Sequence, residues 1–275
     1  MTAVLLALAA AALFGATTIA IRTGLRGGDA AAGALATLVI ATAVALVAAA
    51  PRHDLHGTWP FLIAGLFAPG GSQLLFVLAI REAGAARTSV VVGTAPLVSV
   101  AVALVFLDEP LRLPLLLGAI AIVAGGDALA SERDRPGHVR LVGLAFAATA
   151  MMLFAVRDNV VRAMHTHATP EAALVATLLG GVLVAAIAAR RVPTASELRA
   201  LGPAGLLFGA SYLCLFEAYF HGRVTVVSPL VATESRWGVG LSMLLLRRSE
   251  GVGGRLVLGA LLVVAGGALI GATSG

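Results

Sequence analysis

The chain has 275 residues, of which 59% are hydrophobic and 12% charged, against about 25% charged in an ordinary soluble domain, so it cannot clothe a water-facing surface and a soluble globular protein is excluded. Its formal charge of +5 comes from 19 basic residues that are all Arg. Without Lys there is no Walker A loop to hold nucleotide phosphates and no amine for a Schiff base with pyridoxal phosphate or retinal.

A membrane-spanning helix needs about 20 mainly apolar residues, and ten runs meet that pattern. They are Ala3 to Ile21, Ala30 to Ala50, Trp59 to Ile80, Thr88 to Leu107, Leu113 to Leu129, Leu141 to Val161, Glu171 to Ala189, Leu201 to Phe220, Val224 to Leu246 and Leu256 to Ala272. The spacing predicts an all-α membrane protein with ten transmembrane helices. The first run lacks a basic leader and is followed by Arg22, which reads as a retained helix rather than a signal peptide. The third run carries Pro69, Gly70, Gly71 and Ser72 just before Gln73, a composition that kinks or unwinds a helix and frees backbone groups. Thr94 with Pro96 in the fourth run, and Ser228 with Pro229 in the ninth, repeat that theme. The runs are rich in Ala and Gly, which lets helices approach closely where no hydrophobic force drives association. The single Cys214 forms no internal disulfide.

The two halves repeat each other at an offset near 140 residues. LGAIAIVAGG from Leu117 to Gly126 recurs as LGALLVVAGG from Leu258 to Gly267. Leu13, Phe14 and Arg22 correspond to Leu153, Phe154 and Arg162; Ala36, Thr37 and Leu38 correspond to Ala176, Thr177 and Leu178; Phe76 falls on Phe216. A five-helix unit has an odd number of crossings, so two copies enter the bilayer from opposite sides as inverted repeats, here 1–131 and 139–275. In that architecture the substrate site lies near the midplane, between halves that rock against each other. The Arg residues stand singly and in pairs and report topology rather than nucleic-acid binding: thirteen follow odd-numbered helices and five lie near or beyond the ends of even-numbered ones, which puts odd loops in the cytoplasm and both termini outside.

The stretch AIREAGAARTSVVVGTAPLVSVAVALVFLDEPLRLPLLLGAIAIVAGG, from Ala79 to Gly126, resembles the EamA-like branch of the drug/metabolite transporter superfamily, as does the duplicated ten-helix layout. The shared marks are Pro96 in the fourth helix, the acidic turn Asp108, Glu109 and Pro110, the Gly-rich fifth helix, Phe14 with Gly15 in the first, and Glu234 in VSPLVATES, where Ser235 stands at a position relatives commonly give to Pro. The resemblance implies export or exchange of small organic metabolites through a central cavity lined by helices one, three, four, six, eight and nine. It also implies both termini in the cytoplasm, opposite to the Arg distribution.

Glu234 and Arg236 sit at the centre of the ninth run. A charge there costs about 2.5 to 3.5 kcal/mol on insertion scales, so it needs a partner or water. The two lie about 200 degrees apart around a helix, so other helices must supply partners, and Arg157 and Asp158 in the sixth run are the candidates. The equivalents of that pair are Thr17 and Thr18, which makes the cavity asymmetric. The expected substrate-binding set is Phe14, Thr17, Thr18, Gln73, Thr94, Phe154, Arg157, Asp158, Tyr212, Glu217, Glu234, Arg236 and Trp237, with the aromatics packing the substrate's apolar part. The competing reading is a buried clamp between helices six and nine whose charges satisfy one another. His165 and His167, like His53 and His56, have loop positions and too few neighbouring acids for a metal site, and Gly70-Gly71-Ser72 lacks the closing Gly of a nucleophile elbow. We therefore expect a carrier and not an enzyme, with no cofactor and no metal, in the cell membrane as a multi-pass protein. Its expected partners are a small-molecule substrate such as an amino acid or drug-like compound and the lipid bilayer, not nucleic acid, with the chain a monomer or homodimer. Transport is by alternating access, driven by protons at Glu234 or by the substrate's own gradient. The alternatives are a flippase for polar lipids or lipid-linked sugars, which needs a laterally open apolar cavity, and a non-transporting membrane partner.

Overall fold

The computed structural model describes residues 2–25, 28–50, 56–106, 113–130, 140–246 and 254–271, all helices and short connections, with no strand among them. The helices are α1 (Thr2–Leu25), α2 (Ala30–Ala49), α3 (Trp59–Gly65), α4 (Ser72–Ala83), α5 (Ala85–Val92), α6 (Ala95–Phe106), α7 (Leu113–Ala130), α8 (Leu141–Ala163), α9 (Pro170–Ala189), α10 (Ala195–His221), α11 (Val224–Val231), α12 (Glu234–Leu245) and α13 (Gly254–Gly271). A π-helical turn, Leu66–Gly71, joins α3 to α4. Among the described residues, seven helical stretches are long and apolar enough to cross a membrane, and the other three apolar runs of the sequence are also helical there, as α7, as α11 with α12, and as α13. The acidic turn Asp108–Pro110 and His53 lie outside the described residues.

Polar caps set where several helices begin. The Asp29 carboxylate accepts from Ala31 N at 3.0 Å, Thr169 Oγ1 accepts from Ala172 N at 3.3 Å, and Thr194 and Glu197 form a reciprocal capping box at the start of α10, each satisfying amides that the helix leaves open. The fourth apolar run starts earlier than its composition indicates. Gly84 adopts φ +87, a conformation that costs Gly alone nothing, and the chain turns there in one residue, so α5 begins at Ala85. Arg87 is therefore no loop residue: it lies in α5 with no exposed surface.

Glycine contacts recur between the halves. A Cβ on Gly205 would sit 3.0 Å from the Thr37 carbonyl oxygen, and one on Gly65 would run into that of Thr177. A Cβ on Gly125 would meet Gly259 O at 2.7 Å, and one on Gly266 would run into Gly118 O. Arg22 Nη1 donates to Ile80 O at 3.4 Å and Arg162 Nη1 to Phe220 O at 3.3 Å. Such close approach is how membrane helices gain packing energy. Gly65→Ala is expected to destabilise by about 1 to 3 kcal/mol through overpacking against α9, seen as a lower melting temperature in detergent, while Gly202→Ala, with nothing within 4 Å of the new methyl, leaves it unchanged.

The main apolar core centres on Phe14, whose ring lies 5.1 Å from Phe76, 5.9 Å from Phe154 and 6.0 Å from Phe208. A second, smaller core of Ala86, Val90, Val100, Ile122, Val239 and Val263 joins α5, α6, α7, α12 and α13.

Candidate functional site

Two interrupted helices meet between these cores. In the α5–α6 pair, Thr94 N bonds to Val91 O and Leu97 N to Thr94 O, both at 3.0 Å. In the α11–α12 pair, 139 positions on, Thr233 N bonds to Leu230 O at 3.1 Å and Arg236 N to Thr233 O at 3.0 Å. Each Thr hydroxyl donates to the same carbonyl as its amide, at 2.7 Å in both cases. One α turn is thus replaced by i to i+3 bonding in each helix, a device associated with hinges. The interruption near Glu234 forms although Ser235 stands where a proline was expected. The Ser235 hydroxyl instead donates to Ser89 O at 2.9 Å and ties α12 to α5.

Beside both interruptions lies a small cavity of about 40 Å³. Its floor and walls include Phe14 from α1, Pro96 from α6, Phe154, Arg157 and Asp158 from α8, Tyr212 from α10, Ser228 from α11 and Glu234 from α12. Arg157, Asp158 and Glu234 are 4%, 5% and 5% exposed, so their charges are settled by protein and not by bulk water. Arg157 turns onto its neighbour, with Nε 2.9 Å and Nη2 2.6 Å from Asp158 Oδ1. The Tyr219 hydroxyl donates to Asp158 Oδ2 at 2.8 Å. The guanidinium carbon lies 4.6 Å from the Tyr212 ring centroid and 5.5 Å from that of Phe154, and the aromatic faces hold the cation by their quadrupoles.

The cluster is not closed on itself. Arg157 Nη1 and the Tyr212 hydroxyl are buried with no hydrogen-bond partner, and the Glu234 carboxyl makes no hydrogen bond or salt bridge among the described residues. The balanced quartet expected from the sequence splits: Arg157 and Asp158 pair with each other, Glu234 faces the cavity alone, and Arg236 is exposed on the outer side of α12. The cause lies in the helix geometry, since Glu234 opens α12 facing inward and a residue two places on points nearly opposite. Arg236 rests over its neighbour Trp237, 5.9 Å from the ring centroid, and Trp237 is itself 43% exposed.

Of the other sequence candidates, Phe14, Phe154 and Tyr212 line the cavity. Thr17 and Thr18 are buried, but their hydroxyls donate back to Leu13 O and Phe14 O on their own helix. Thr94 forms the interruption rather than the wall. Gln73 is fully buried outside the cavity lining, with neither side-chain polar atom hydrogen-bonded. Glu217 lies one turn before His221, 3.4 Å from its Nδ1, toward the end of α10. Tyr219, which fixes Asp158, lies outside the set expected from the sequence; its signal is the spacing of seven from Tyr212, two turns along one helix face.

Apolar spans around a buried polar cavity, with interrupted helices at its edge, are the marks of a polytopic membrane protein. Residues 1–126 match the model of the EamA-like transporter family. A crystal structure of a protein 22% identical in sequence superposes with a TM-score of 0.73, covering 98% of this chain and 96% of that one, which shows a shared fold. No curated protein matches this chain.

Proposed function

We propose that the chain is an alternating-access carrier in the cell membrane that exports or exchanges small zwitterionic metabolites, such as amino acids, through the cavity between its interrupted helices. The observation that carries this reading is the open polar cluster. A free donor on Arg157, a free hydroxyl on Tyr212 and an unpaired carboxyl on Glu234 line one small chamber with apolar walls. A substrate carboxylate matches Arg157 and Tyr212, its ammonium matches Glu234, and its apolar part matches Phe14, Phe154 and Leu215. A carboxyl with no protein partner holds a proton or a substrate cation but not both, so competition at Glu234 gives proton-for-substrate exchange. An internal salt clamp would leave no such vacancies.

The ten-helix, inverted-repeat architecture, with units at 1–131 and 139–275, is supported by the paired contacts at offsets of 139 to 141 residues, including the two matching interruptions. Interrupted segments at corresponding positions of two halves mark the binding site in repeat carriers. The polar cluster is complete within one chain, so a monomer suffices for the chemistry. The direct test is uptake of a pooled metabolite library by inverted membrane vesicles with and without a pH gradient. Gradient-dependent accumulation of zwitterions is expected. Flux that ignores the gradient removes the proton role and spares the carrier, and absence of flux for every compound favours a non-transporting partner.

A further inference from the structure

Two stripes of side chains at identical spacing face each other outside the central cavity: Pro60, Ile63, Ala64 and Phe67 on the side of α3, and Leu153, Val156, Arg157 and Val160 on α8. Offsets of three, four and seven residues place each set on one helix face. Between them lies a groove of about 400 Å³. It exists because the third apolar run changes direction at Ala68, which has the non-helical φ −143 and ψ 111. Beyond that point α4 packs on α8, whereas α3 is drawn onto α9 by the missing side chains of Gly65 and Gly180, which would otherwise strike Thr177 O and Leu62 O.

The equivalent seam of the other half, between α10 and α1, is closed. There α10 runs unbroken from Ala195 to His221, the Ser211 hydroxyl donates to Ala10 O at 2.9 Å, and Gly24 lies against Ala200 O. The groove is therefore a property of one half and not a gap common to both.

Its walls are apolar and open sideways, with Ile63, Phe67 and Val156 at 47%, 62% and 49% exposed. In a membrane-spanning chain such surface meets lipid tails. Arg157 is the one charged residue among the described residues of the lining, it also lines the central cavity, and its Nη1 has no hydrogen-bond partner there. We propose that the groove takes the apolar tail of a single-chain amphiphilic acid whose carboxylate is held at Arg157, entering sideways from the bilayer. A quaternary cationic head offers no acceptor to the guanidinium donor, and an uncharged head forgoes the charge-assisted hydrogen bond. Arg157 lies about six residues from the end of α8, or roughly 9 Å along the helix axis, so the bound head sits inside the helical span rather than at its end. The inference shares Arg157 with the function proposed above but adds a separate tail site and route of entry.

The test uses the full chain in nanodiscs with radiolabelled decanoate as probe. Saturable binding is expected, displaced by unlabelled decanoate at least tenfold better than by decanol or decyltrimethylammonium. Ala64→Phe and Val156→Trp, which fill the groove from opposite walls, should each weaken decanoate binding tenfold or more while zwitterion uptake by the same preparations changes less than twofold. Absence of saturable decanoate binding, equal displacement by all three compounds, wild-type affinity in both variants, or parallel loss of zwitterion uptake in both overturns the lateral tail site. Failure of zwitterion uptake in the unmodified protein strikes the carrier reading instead and leaves the decanoate result to be judged alone.

Discussion

Arg157→Met is expected to lose both thermal stability and transport, whereas Arg157→Met combined with Asp158→Asn recovers the stability without the transport. The single change strands Asp158 in a buried site with only the Tyr219 hydroxyl at Oδ2, and breaking one side of a buried ion pair costs about 3 to 5 kcal/mol. For a chain of this size that lowers the melting temperature by on the order of 10 °C. The double change removes the orphan charge and leaves the asparagine carbonyl to accept from Tyr219, so most of that loss returns. Neither variant offers the guanidinium donor that a substrate carboxylate needs. Losing a buried charge-assisted contact costs about 2 to 5 kcal/mol, and transport should fall by roughly 100-fold in both variants. Thermal unfolding and zwitterion uptake, measured on the same preparations, separate the effects. A double variant that transports normally would reduce Arg157 and Asp158 to a structural clamp.

Glu234→Gln is expected to abolish gradient-driven uptake while leaving the fold intact. The carboxyl gives up no hydrogen bond and no ion pair on substitution, so the melting temperature should move by no more than about 2 °C, the scale of a change below 1 kcal/mol. The amide can neither carry a proton nor neutralise an ammonium, and uptake driven by a pH gradient should fall about 100-fold, the equivalent of roughly 3 kcal/mol of charge-assisted contact. A clamp between α8 and α12, the sixth and ninth apolar runs, makes the reverse forecast, a large loss of stability with transport preserved. Arg236→Ala is the matched control. That side chain is exposed and touches the Trp237 ring, an interaction worth about 0.5 to 1 kcal/mol, so uptake should stay within twofold of the parent.

The helices were legible because long apolar runs without water must satisfy their backbone internally, and glycines recurring at an offset near 140 residues sit at helix contacts in both halves. Boundaries were harder: one glycine at Gly84 let α5 start early and drew Arg87 from an expected loop into the interior. The Arg157 to Asp158 pair was hidden because adjacent helical residues diverge by about 100 degrees, and only the long Arg side chain, folding back between two rings, closes that distance. Glu234 was identified from its depth in the ninth run. Its isolation from Arg236 followed from where α12 begins, which no proline announced. Trp237 shares a helix face with Glu234 by spacing, yet it packs at its root against Gly15, where a Cβ would come within 2.6 Å of Trp237 Cβ, and its ring extends outward. The lateral groove had no pattern of its own until the turn at Ala68 separated α3 from α8.

The most direct measurement follows protons and substrate together. Purified protein in proteoliposomes loaded with a pH-sensitive dye would be given a mixture of radiolabelled zwitterionic amino acids. Uptake accompanied by proton movement in the opposite direction, with both signals lost in Glu234→Gln, is the predicted result. Uptake with no proton movement, proton movement unchanged in Glu234→Gln, or no uptake of any zwitterion would contradict exchange at the Glu234 cavity.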